Sequence, residues 1–205
     1  MSADDPPAPI SVHPARWKFD YPIVHVETRA QWRAWLIDRA GSERGVWLCS
    51  WRTVGRPRCP YPEAVEEAIC FGWIDSTSTV LDDERSLQLF TRRRPKSPWT
   101  RLNRERAADM EQRGLMTDAG RLAIAGAKAN GWWTISEQVE DLVEPAALTA
   151  ALDLDAAARA TWNGFPPSAR KQMLWWIVSA ARDETRDARI ATVVAEAAAG
   201  RRAKG

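Results

Sequence analysis

Apolar residues recur every three or four positions across residues 29–40, where Trp32, Trp35, Leu36 and Ala40 fall on one stripe. That spacing predicts an amphipathic helix, with Thr28 as its N-cap and Gly41 as its stop. Short β-type runs flank it, Pro22–Val26 before and Gly45–Trp51 after, and a loop of Gly, Pro and Arg containing Cys59 follows. A second helix starts at Pro62-Glu63, with Ala64, Val65, Ala68 and Ile69 inward and Glu63, Glu66 and Glu67 outward, and it ends near Phe71-Gly72. The period then changes to two. Alternation from Trp73 to Leu81 sets Trp73, Asp75, Thr77 and Thr79 on one face and Ile74, Ser76, Ser78 and Val80 on the other. Asp82-Asp83 is the expected turn and Arg85–Arg93 the returning strand, so the segment is a β-hairpin.

Beyond the hairpin the helical period returns. Ser97-Pro98 has the chemistry of a helix start, Ser as N-cap and Pro at the first helical position, and Leu102 and Met110 face inward with Trp99. Gly114 stops this helix, Thr117 caps the next, and Gly131 ends that one. Trp132–Ile135 reads as a connector or short strand. Helices are then expected near 145–152, 155–162, 168–181 and 184–199, split by Pro145 and Pro166-Pro167. The expected fold is α+β, a small antiparallel β-sheet with a β-hairpin packed against helices, followed by a helical carboxy-terminal region. Three parts result: a mobile amino-terminal arm over 1–20, rich in Pro, Ala and Asp, an α+β module over 21–135, and the helical region over 136–205.

Composition narrows the functional classes. With 205 residues, 45% apolar and 27% charged, the chain can bury a core. A formal net charge of +2 provides no global field for nucleic acid or membrane, so electrostatic recognition has to be local. Cys49, Cys59 and Cys70 have neither the even number of a disulfide framework nor the spacing of a zinc site; reduced thiols in a cytoplasmic protein are the expectation, with no metal and no cofactor. The first residues lack a basic segment followed by an apolar run, so no signal peptide is expected, and no apolar run reaches transmembrane length.

Candidate chemistry gathers between Cys70 and Asn103. If Asp82 and Asp83 form the turn, Trp73 lies opposite Arg92 and Asp75 opposite Phe90, bringing a carboxylate, an arginine and an indole to the open end of the hairpin. Residues 91–106 carry Arg92, Arg93, Arg94, Lys96, Arg101, Arg104 and Arg106 against Glu105 alone. Beside a helix N-terminus that cluster is suited to an anion, and the candidate binding residues are Trp73, Asp75, Arg92, Arg93, Lys96, Ser97, Trp99 and Asn103. The same arginines can instead pair with carboxylates such as those of Asp82, Asp83 and Glu84 and solvate a face. Two further classes compete with an anionic small ligand. Arginines interleaved with Trp99 could bind nucleic acid, and Cys70 could serve a thiol enzyme, which needs a depressed pKa and normally a base. The tryptophans at 175 and 176 and the apolar residues of the last helix read as core stripes.

The order Glu63-Ala64-Val65-Glu66-Glu67-Ala68-Ile69-Cys70-Phe71-Gly72-Trp73-Ile74-Asp75-Ser76, then Phe90 to Asn103, then Met116-Thr117-Asp118-Ala119-Gly120, resembles the bacterial YdeI/OmpD-associated, or bacteriocin-protection, family. Pro145, Leu148, Leu152, Ser168-Ala169-Arg170-Lys171, Trp176-Ile177 and Glu184-Thr185-Arg186 are similar to that family's carboxy-terminal helical region. The resemblance implies a role in stress, bacteriocin or cationic antimicrobial peptide resistance and no established reaction, so non-enzymatic binding is the expectation. Where the family usually has lysines in the loop after the first long strand, this chain has Arg52, which keeps the positive charge. Thr91-Arg92-Arg93 stands in place of a Thr-Pro-Arg run, and Asp118 in place of a proline.

Overall fold

The structure is a computed structural model and describes residues 12–203. The chain divides into two compact units, one formed by residues up to Ser97 together with Leu102–Asn130, the other by Pro98–Arg101 and the residues from Gly131 on. The arm expected over 1–20 lies outside the described residues up to position 11. Its later part forms β1 (Arg16–Trp17), antiparallel to β2 (Tyr21–His25).

In the first unit, β2 leads through α1 (Arg29–Arg39) into β3 (Gly45–Trp51), then α2 (Tyr61–Cys70), β4 (Trp73–Val80) and β5 (Arg85–Arg92). The sheet order is β1-β2-β3-β5-β4. All pairs are antiparallel except β2 with β3, which are joined by a crossover helix and run parallel, as such a connection requires. Local signals set the helix ends. Thr28 accepts from the Gln31 amide at 3.1 Å while the Gln31 side chain accepts from the Thr28 amide, a reciprocal capping box. One sheet face lies beneath α1 and α2: Trp32 packs on Phe90 with ring centroids 5.3 Å apart and donates its indole N–H to the Ala64 carbonyl. The opposite face carries Ile23, Trp47, Cys49, Leu87 and Leu89, with Trp17, Tyr21 and Leu81 against them.

The α1–α2 contact is also ionic. Glu67, buried on α2 rather than outward as its spacing suggested, accepts from Arg29 Nε at 2.6 Å and Arg33 Nη1 at 2.5 Å. The helix placed at Ser97-Pro98 starts later, as α3 (Arg101–Gln112). After it, α4 (Asp118–Ala129) is capped by Thr117, whose hydroxyl also donates to the Cys70 carbonyl at 2.6 Å. Gly120 makes this approach possible, because a Cβ there would meet that carbonyl at 2.4 Å.

In the second unit, residues 132–134 form turns rather than a strand, and they lead into an unpredicted short helix, α5 (Ile135–Glu140). The helices α6 (Ala146–Asp153), α7 (Ala156–Gly164), α8 (Pro167–Val178) and α9 (Asp183–Ala198) follow close to their expected bounds. They enclose Leu148, Leu152, Trp162, Leu174, Ile177 and Val193. Trp175 and Trp176 pack against this core, as their spacing predicted. Among the described residues, no helix is long and apolar enough to cross a membrane.

Candidate functional site

The open end of the hairpin has the expected register, with Trp73 opposite Arg92 and Asp75 opposite Phe90. Toward the turn the pairing departs from it. Ser78 faces Gln88 and Val80 faces Ser86, so one extra residue is taken up as a bulge between Asp75 and Ser78. The connection is likewise one residue longer than expected: Leu81 donates to Arg85, and Asp82 accepts from the amides of Glu84 and Arg85. The bulge moves Ser78 and Val80 to the face that carries Trp73 and Asp75, the reverse of simple alternation.

The candidate residues fall into different environments. Trp73 is 1% exposed, with Trp35 edge-on at 6.1 Å, and Trp99 is 1% exposed within the second unit, against Trp133 at 4.9 Å; both are packed into the interior. Arg92 donates Nε to the Glu43 carbonyl at 2.8 Å. Lys96 is exposed. Ser97 is not a helix cap; its hydroxyl accepts from the Arg94 amide at 3.0 Å within a turn. The N-terminus of α3 is met instead by Glu140, whose carboxylate accepts from the Arg101 amide at 3.1 Å, while the Arg101 guanidinium holds Asp141 at 2.8 Å. Arg101 thus has its amide and its guanidinium committed to carboxylates of the second unit, to which it belongs.

Asp75 and Arg93 do come together. Burial lowers the Arg93 guanidinium to about 10, and the Asp75 carboxylate opposes that shift. Asp75 also accepts from the Tyr61 hydroxyl at 2.5 Å, and the Tyr61 phenol is pushed up to about 12, first by burial and then by this carboxylate; Arg106 acts in the opposite sense. Arg106 in turn donates to Asn103 Oδ1 at 3.1 Å. Asp75 therefore answers the positive charge that the hairpin end was expected to offer an external anion. Cys70 is fully buried with its thiol raised to about 11 by desolvation, which removes the thiolate a nucleophile needs.

Beyond Tyr61 the same sheet face opens into a cavity of about 700 Å³, between the N-terminal turn of α2 and the turn half of the hairpin. Its polar lining comes from Ser50 on β3, Ser78 on β4, Ser86 and Gln88 on β5, and Arg52 and Arg58 of the loop before α2. Leu48, Cys59, Pro60, Pro62 and Ala64 supply apolar wall, and Tyr61 stands at its edge toward Asp75. No carboxylate stands among the described lining residues, which leaves two guanidiniums, three serine hydroxyls, the Tyr61 phenol and a carboxamide around a space of ligand size. The sequence marks none of these polar residues as part of a site. Each strand contributes one or two unremarkable side chains, and the bulge that brings Ser78 round leaves no mark in a Ser-Thr-Ser-Thr run.

No curated protein and no solved structure matches this chain. Residues 24–123 match a family model described as a domain of unknown function (DUF8412), and this segment contains both the Asp75 cluster and the cavity. Most of the hairpin motifs behind the expected resemblance lie there. Residues 141–200, spanning α6 to α9, match the model described as Bacteriocin-protection, YdeI or OmpD-Associated. The carboxy-terminal segment of this chain is therefore a domain of the bacteriocin-protection, YdeI/OmpD-associated family.

Proposed function

We propose that the chain acts by binding rather than by catalysis, its first unit holding a small anionic ligand in the cavity between α2 and the β3–β5–β4 face. The observation that carries this reading is the lining itself, where Arg52 and Arg58 face hydroxyls and a carboxamide with no carboxylate to neutralise them. This reading sets the site at the turn half of the hairpin rather than at its open end, where the Asp75 carboxylate already acts on the buried Arg93 guanidinium. The description of residues 141–200 supports a role for this binding in bacteriocin protection, and resistance to cationic antimicrobial peptides or stress extends that reading. Three free, buried thiols suit a reducing cytoplasm.

Phosphate, sulfate and acetate, each titrated against chloride at matched ionic strength, should raise the thermal midpoint and shift amide resonances at Ser50, Ser78 and Ser86. At a hundredfold excess over Kd the stabilisation is about 2.7 kcal/mol. Arg52→Gln with Arg58→Gln should abolish the shifts, and unchanged resonances in the native chain would end the proposal. The competing class, nucleic acid on residues 91–106, has lost much of its support: Arg92, Arg101 and Arg106 are committed to intramolecular acceptors. Salt-sensitive binding to short single strands is the result that would restore it.

A further inference from the structure

The polar groups around the cavity are not equally available, and their commitments narrow the ligand. Gln88 Nε2 lies 3.2 Å from the Ser76 carbonyl and 3.3 Å from the Thr77 carbonyl, the two residues of the bulge, and 3.4 Å from the Leu89 carbonyl. A nitrogen among three carbonyl oxygens has to donate, so the amide orientation is fixed and its N–H groups are used. Gln88 then offers the cavity an acceptor, its Oε1, and no donor. Arg52 directs Nη1 to the carbonyls of Asp82 and Asp83 in the hairpin turn, at 3.3 and 3.4 Å. Arg58 has no hydrogen-bond, ion-pair or ring partner among the described residues, so its guanidinium is the cation free to meet a ligand.

Resting on the reading above, we infer that the cavity selects small organic anions that also carry an O–H or N–H donor, the anionic head meeting Arg58 and the donor meeting Gln88 Oε1. An inorganic anion satisfies the first requirement alone. An organic acid with only acceptors leaves a half-buried carbonyl without the water it gives up on binding, which costs affinity. The apolar side chains of Leu48, Pro62 and Ala64 favour a compact hydrocarbon body between the two polar ends. The bulge is thereby a specificity device: it aims Gln88 by occupying the amide nitrogen.

Matched probes test this on the unaltered chain. Benzoate, 3- and 4-hydroxybenzoate, and the corresponding 3- and 4-methoxybenzoates share the carboxylate and the ring and differ in whether a donor is present. Calorimetric titration should find at least one hydroxybenzoate binding about five- to tenfold tighter than benzoate and than its methoxy counterpart, the size of one net hydrogen bond. Arg58→Gln should weaken all five acids alike, and Gln88→Met should remove the hydroxyl preference while retaining benzoate. If the acids bind and respond to Arg58→Gln but the hydroxyl and methoxy compounds are equal, the donor requirement is wrong and the anion-binding reading survives. If neither the acids nor inorganic phosphate bind, that reading falls as well. Should Gln88→Met lose its fold by releasing the bulge, the hydroxyl-to-methoxy comparison on the native chain decides alone.

Discussion

His25 should make the first unit sensitive to acid in a way that one substitution can isolate. Its ring is 4% exposed, T-shaped against Trp51 with centroids 4.6 Å apart, and neither nitrogen has a hydrogen-bond partner among the described residues. Desolvation lowers its pKa from 6.5 to about 4; Glu27 opposes the shift, while Arg85, His13 and Arg56 add to it. The buried imidazole is neutral, whereas the unfolded chain binds a proton as pH falls through 6.5. Stability from this group is therefore complete above about pH 6.5, declines as pH falls toward 4, and is lost below that. At 1.36 kcal/mol per pKa unit the span is at most about 3 kcal/mol, a large part of the 5–15 kcal/mol typical of a domain. Urea unfolding followed by tryptophan fluorescence, from pH 8 to 3.5, should be run on the native chain and on His25→Leu. The variant should lie within about 1 kcal/mol of the native chain at pH 7, since it removes a buried ring with no polar partner. The gap should then move in the variant's favour by about 2–3 kcal/mol as the buffer becomes acidic. A difference that stays constant across that range would refute the assignment of a neutral, desolvated imidazole.

Other perturbations probe the packing that sets the cavity in place. Glu67→Gln takes the buried carboxylate from Arg29 and Arg33, Arg29 keeping Glu66, and should cost up to about 3 kcal/mol in denaturant unfolding; a loss under 1 kcal/mol would mean the cluster is solvated. Gly120→Ala drives a methyl to 2.4 Å from the Cys70 carbonyl and Met116 Sδ, and should cost about 1–3 kcal/mol, whereas Gly41→Ala meets nothing within 4 Å and serves as the neutral control in the same thermal scans. The thiols of Cys49, Cys59 and Cys70, raised by burial to about 11, 12 and 11, should resist a disulfide reagent at pH 8 until the chain unfolds. Rapid modification of one thiol in the native state would contradict that.

What the sequence conveyed and what it hid differ in the range of the interaction responsible. Thr28, Thr117 and Gly131 mark helix ends through contacts within a few residues or through a left-handed φ, and the structure has them where local chemistry put them. Ser97-Pro98 satisfies the same local rules and fails, because the carboxylate that meets the start of α3 belongs to Glu140, 39 residues on from Arg101. Trp73 and Trp99 stood out as possible ligand contacts because an indole reads the same in a core as at a surface; only the packing of Trp35 and Trp133 distinguishes the two. Glu67 fell on the outward face by periodicity, yet two arginines of α1 make its burial tolerable. The cavity is the extreme case. Its face grades from Trp73 and Phe90 beneath α1 to Gln88, Ser78, Ser86 and Ser50 beneath the start of α2, and β3, β4 and β5 each supply part of the polar end. A strand that is apolar at one end and polar at the other reads in isolation as one that merely frays. Only when three such strands align, with a bulge correcting the phase of β4, do their polar ends become a floor, and Arg52 and Arg58, which look like ordinary loop cations, acquire a shared target.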